Sequence, residues 1–232
     1  MPTTRKPLLK RPWIAPLAVL TVAFLVYALP PYLGLDPSEG RVTIREGSAI
    51  HYPLLVTHIF LGSIALLAAC LQIWPWLRRN HPTVHRRSGR VYVATAIPTA
   101  VCATFVSALS VMGMNVQVGD VLFALVWLAT TITGYRMARK RRFAEHREWM
   151  IRSFALAFAI VANRAWMPLC FALFIDEGTR AEFMQAAGLS MWLSWVVNLL
   201  IAEWWIQHTR NRRRTNPPVR DDEPRERVTT AA

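Results

Sequence analysis

Residues 136–175 read RMARKRRFAEHREWMIRSFALAFAIVANRAWMPLCFALFI: a dense run of Arg and Lys that gives way to an apolar stretch holding a single charge, Arg164. An apolar segment of about 20 residues is long enough to cross a hydrocarbon core about 30 Å thick as a helix. Basic loops stay on the cytoplasmic face, so residues 136–152 anchor one side and 150–175 cross. Outward in both directions the same alternation repeats. Apolar stretches lie at 13–33, 51–77, 89–114, 119–138, 150–175 and 187–208. Of the 27 Lys and Arg, 23 fall in the N-terminal tail, the loops 78–90 and 136–152, and the C-terminal tail. Arg41, Arg45 and Arg180 lie on the other side, and Arg164 lies within a span.

These segments predict an all-α polytopic membrane bundle of six transmembrane helices with both termini cytoplasmic. The expected parts are a cytoplasmic tail at 1–12, a membrane domain at 13–208 and a disordered basic cytoplasmic tail at 209–232. A hydrophobic fraction of 53 % and a mean hydropathy of +0.25 fit that class. In a soluble protein the net charge of +13 would suggest nucleic acid. Here the charge sits where insertion wants it, so the expected partners are the bilayer and its anionic inner-leaflet lipids. Val26-Tyr27-Ala28 imitates a signal-peptidase site, but the apolar run from Trp13 to Leu29 exceeds a signal core, so a retained first helix is expected. Cys70, Cys102 and Cys170 all lie within spans and form no CxxC, which argues for packing rather than disulfides.

Trp13, Trp74, Trp76, Trp149, Trp204 and Trp205 gather at the inner boundary as an aromatic belt. On the second span His58, Gly62, Ala65, Ala69, Gln72 and Trp76 share one face, where small residues let another helix approach closely. Ser88, Tyr92, Thr95, Thr99 and Ala103 line the third span, and Ser190, Ser194 and Asn198 the sixth; these hydroxyls are expected to bond between helices.

Arg164 falls near the bilayer midplane and must find partners, because a lipid-facing Arg there costs at least about 2.5–3.5 kcal/mol. Glu203, the acid set in the sixth apolar run, is the expected ion-pair partner. Two further segments look alike. His85-Arg86-Arg87-Ser88-Gly89-Arg90 precedes the third span and His146-Arg147-Glu148-Trp149-Met150-Ile151-Arg152 the fifth. Each places a His-Arg pair at the first turn of a membrane helix, whose free N–H groups and dipole favour anions.

These two blocks, with Arg164 beyond them and His58 and Gly62 upstream, resemble the prokaryotic multi-pass membrane proteins of the domain-of-unknown-function 2306 family over about residues 50–175. The resemblance implies a bacterial plasma-membrane protein and flags His58, His85, Arg90, His146, Arg152 and Arg164; it carries no activity with it.

Three function classes follow. The favoured one is binding or transport of a small anion or lipid head group at a cytoplasmic-side cluster of His58, His85, Arg86, Arg90, His146, Arg147, Arg152 and Arg164. The second is a redox protein with b-type haem between His85 and His146, since axial iron wants His from facing helices. The third is an enzyme, for which HExxH, GxSxG and P-loop patterns are absent. A zinc site at His81 and His85 is disfavoured because Pro82 interrupts a continuous helix. A site at His85, His146 and His208 needs Glu145 or Glu148 as well, and no metal is expected.

Overall fold

In the computed structural model residues 14–215 are described, so the N-terminal tail, Trp13 and residues 216–232 of the expected C-terminal tail lie outside the described residues. Nine α-helices follow in order among them: α1 (Ile14–Ala28), α2 (Pro30–Leu33), α3 (His51–Ile73), α4 (Pro75–Asn80), α5 (Pro82–Ala108), α6 (Met114–Arg139), α7 (Phe143–Ala157), α8 (Ala159–Phe174) and α9 (Arg180–Thr215). No strand occurs among the described residues. α3, α5, α6 and α9 are each long and apolar enough to cross a membrane. α7 and α8 meet that test only as a pair, bent by 43° at Phe158. The protein therefore has four to five candidate spans, with α1 a shorter apolar helix of 15 described residues.

Proline punctuation shapes the turn between α3 and α5. A residue before proline is pushed out of the helical region, and proline suits a helix's first position. Trp74 before Pro75 is extended at ψ 106°, and His81 before Pro82 has ψ 64°. Pro82 thus starts α5 rather than interrupting it, and the helix begins seven residues before the apolar stretch that announced it. The loop between α2 and α3 holds a short 3-10 turn, Pro37–Glu39, capped by Asp36, whose carboxylate accepts from the backbone N–H and hydroxyl of Ser38. Those bonds hold the Asp36 carboxyl below its usual range. The expected turn at 115–118 falls instead at 109–113, where Gly113 takes φ 94°.

The fifth stretch departs from expectation more sharply. The bend is not at Pro168, which sits inside α8, but at Phe158. At the sixth, α9 continues as helix to Thr215, so residues 209–215 belong to a helix and not to a disordered tail.

α3 packs on α5, α5 on α6, α6 on α7 and α9, and α8 on α9, while α1 lies against α3 and α8. Glycines set several of these seams. A Cβ on Gly119 would lie 2.9 Å from Trp192 Nε1, and one on Gly188 2.7 Å from Asn115 Nδ2. Numbers rise together along that seam, so α6 and α9 run parallel. Near the far ends of the same helices, Gly134 on α6 admits Met150 of α7, and Arg210 on α9 pairs with Glu148 of α7. One end of the bundle therefore gathers the starts of α5 and α7 with the ends of α3, α6 and α9. That is the basic end.

The core joins α5, α6 and α7 through a buried polar ring. Trp127 Nε1 donates to Tyr92 Oη at 3.3 Å, and Tyr92 Oη and Ser153 Oγ are 2.7 Å apart. Ser153 Oγ and Thr131 Oγ1 are also 2.7 Å apart, and Thr131 donates to the Trp127 carbonyl. Since Thr131's one proton goes to that carbonyl, Ser153 must donate to Thr131 and Tyr92 to Ser153. The chain of donors leaves the Trp127 indole and returns to the Trp127 backbone with each hydroxyl donating once. Most other hydroxyls on the expected stripes behave differently: Thr95, Thr99, Ser190 and Ser194 bond to carbonyls of their own helices.

Candidate functional site: the basic end

Gln72, at the end of α3, ties that helix to the first turns of α5. Its Nε2 donates to the His85 carbonyl at 2.8 Å and to Ser88 Oγ at 2.6 Å. Gly89 permits the approach, since a Cβ there would lie 3.1 Å from Gln72 Oε1. His85 is thereby fixed through its backbone while its ring is half-buried, and its Nδ1 has no hydrogen-bond partner.

His146 reaches the same region from α7. Arg141 at φ 60° turns the chain out of α6. His146 Nδ1 lies 2.8 Å from the Gly134 carbonyl, and a carbonyl can only accept, so Nδ1 carries the proton. In the neutral ring Nε2 is then a free acceptor or ligand atom. The groups within electrostatic reach of His85 are Arg78, His146 and Arg86. All three are cationic or become so on protonation. Arg78, in the last turn of α4, was not singled out in the sequence because a loop arginine looks like ordinary topogenic charge.

The described acids at this end are already engaged. Arg142 holds Glu145 at 2.6 Å, Arg210 holds Glu148 at 3.1 Å and Arg152 holds Glu203. None is left for Arg78, Arg86, Arg90, His85 or His146 among the described residues. That arrangement can receive an anion. No group of three or more His, Cys, Asp and Glu able to hold a metal occurs among the described residues.

The expected Arg164–Glu203 ion pair is not formed. Glu203 is bound in a fork by Arg152, whose Nε and Nη2 donate to Oε1 and Oε2, the latter at 3.0 Å. The Arg152 guanidinium also lies over Trp149, 4.6 Å from the ring centroid. α8 packs on the early part of α9, where Phe171 meets Phe183, and α7 on the later part, where Ala155 meets Asn198 and Glu148 meets Arg210, so Arg152 and not Arg164 lies level with Glu203. Asn198 is not an acceptor for Arg164 either; its Nδ2 donates to the Ala155 carbonyl at 3.0 Å. Arg164 does not point into the bundle. It is exposed, with Phe24 of α1 beneath its guanidinium at 5.5 Å.

His58 stands apart from the basic end. Its Nδ1 donates to the Thr99 carbonyl at 3.1 Å, and Gly62 lies against the same threonine. The α3 face chosen from the sequence is therefore the α3–α5 seam. The sequence reading takes Glu203 as the acid set in an apolar run, but Asp120 on α6 is a second, with a buried Oδ1 that has no hydrogen-bond partner among the described residues. Its place at the rim of the fourth stretch hid it.

An all-helical bundle with four to five candidate spans defines a multi-pass membrane protein. The family model described as predicted membrane protein (DUF2306) matches residues 55–206, and the chain belongs to that family. The match extends past the two His-Arg blocks through α8 and most of α9. No curated protein and no solved structure matches the chain.

Proposed function

We propose that the protein crosses the bacterial plasma membrane six times, with α1 completing the count and both termini cytoplasmic. We further propose that its basic end binds a small anion or an anionic lipid head group. One observation carries the binding reading. His85 and His146, from two helices, lie among Arg78 and Arg86 while every described acid of that end is held by another arginine. Arg90 and Arg147, about two turns into α5 and next to His146 in the chain, extend the cluster, and Arg152 bounds it through Glu203. Arginine forks suit phosphate and carboxylate geometry, and His85 and His146 add charge when protonated.

The topology is tested by fusing reporters after His208. Activity is expected only from a reporter that works in the cytoplasm, and a periplasmic signal rejects the orientation. Binding is tested by calorimetric titration of the purified protein with inorganic phosphate, and with vesicles of phosphatidylglycerol against phosphatidylcholine. Hydrogen bonds to charged groups contribute about 1.5–3 kcal/mol each. Arg78→Gln/Arg86→Gln should therefore weaken binding at least about tenfold. Equal binding by wild type and variant removes the reading. A haem absorption spectrum in the purified protein, lost in His85→Ala or His146→Ala, replaces it with the redox alternative.

A further inference from the structure

Arg164 belongs to no site described above. It lies ten residues, about 15 Å, from the C-terminal end of α8, well separated from the basic end. Ile160, Arg164, Pro168 and Ala172 recur at steps of four, and all are exposed. Leu169 and Leu173 beside them are exposed as well. On a membrane-spanning helix such a stripe faces lipid, and Arg164 is its one charge. Among the described residues it has no hydrogen bond and no ion pair; the Phe24 ring is its contact.

No described acid is in place to neutralise it. Glu145, Glu148 and Glu203 are held by other arginines. Asp36, Glu39 and Glu46 lie in the loop before α3, and Asp176, Glu177 and Glu182 at the start of α9 or just before it. Asp120 is on α6, which packs on α5, α7 and α9. Residues 1–13 contain no Asp or Glu. A second copy would bring the same described acids.

We infer that Arg164, backed by Phe24, holds the anionic group of a lipid-soluble molecule: a carboxylate or phosphate carried on an alkyl chain. The aromatic ring covers one face of the guanidinium and leaves its N–H edge for a bidentate anion. The exposed Pro168, Leu169 and Leu173 supply apolar surface for the chain. The anion has two sources, a bilayer phospholipid or a carboxylic acid dissolved in the membrane. This inference does not depend on the basic-end site.

The test uses the full chain in nanodiscs of zwitterionic lipid. It is titrated with a fluorescent long-chain fatty acid and, separately, with phosphatidylglycerol bearing the same fluorophore. At least one should bind wild type, and the one that binds names the source. Arg164→Gln should weaken it tenfold or more, and Arg164→Lys, which keeps the charge but loses the fork, several-fold. If Arg164→Gln does not fold, the lysine variant alone decides. Inorganic phosphate binding at the basic end should be the same in all three proteins, so failure there is read separately. No binding of either probe, equal affinity in wild type and variants, or an Arg164-dependent dimer in place of lipid binding overturns the inference.

Discussion

Arg152→Leu is expected to destabilise the bundle by about 2–3 kcal/mol, and Arg152→Leu/Glu203→Leu to recover most of that loss. The single change leaves Glu203 without its fork of two donors and also removes a guanidinium stacked on Trp149. Breaking a buried pair from one side costs about 3–5 kcal/mol because the remaining charge is stranded. The lower figure applies here because the Glu203 side chain keeps 34 % of its surface exposed, against 18 % for Arg152. Replacing both partners by apolar side chains removes the stranded charge along with the attraction, which is why such doubles often recover stability. Thermal unfolding of the three purified variants in one detergent measures this. A double variant no more stable than Arg152→Leu would mean that Arg152 acts through packing on Trp149 rather than through Glu203. Arg164→Leu supplies the contrast: it leaves the Glu203 fork untouched and should not be rescued by changing Glu203.

That contrast also marks where sequence reading stops. The helical class was legible because insertion physics writes itself in composition: apolar windows set by bilayer thickness and basic residues set by sidedness. The α3–α5 seam of His58 and Gly62 follows from local rules of the same kind, but a single stretch over 51–77 misses the step at Pro75, which ends α3 at Ile73 and puts Trp76 on α4 instead of the α3 face. Ion-pair partners do not. Which residues of two antiparallel helices stand level depends on where the chain turns between them and on any bend, and the 43° turn at Phe158 carries no proline or glycine signal. A counting argument therefore pairs Glu203 with Arg164, when the later part of α9 lies level with α7 and so with Arg152. Asp120 escaped for a related reason: a charge at the rim of an apolar window looks like a boundary until the packing shows its oxygen buried. The two His-Arg blocks were visible as matching sequences, yet their shared neighbourhood with Arg78 is a product of the turn at α4.

Tyr92→Ala should be among the most damaging single changes in the molecule, costing about 3–5 kcal/mol, the range for truncating a large buried aromatic. Tyr92 is fully buried at 0 % exposure, its ring packs edge-on against Phe154 at 4.8 Å, and its hydroxyl closes the ring of donors through Trp127 and Ser153. Tyr92→Phe separates the two contributions. It keeps the aromatic volume, leaves Ser153 bonded to Thr131 and deprives the Trp127 indole of its acceptor. Hydrogen bonds between membrane helices average about 0.6 kcal/mol and reach about 1.7, so the phenylalanine variant should lose about 1 kcal/mol. Packing therefore decides stability at this position. Unfolding of both variants, read by tryptophan fluorescence and circular dichroism, tests the division. If Tyr92→Phe costs as much as Tyr92→Ala, the order of the two effects is reversed, and the hydrogen-bonded ring rather than the aromatic core holds α5, α6 and α7 together.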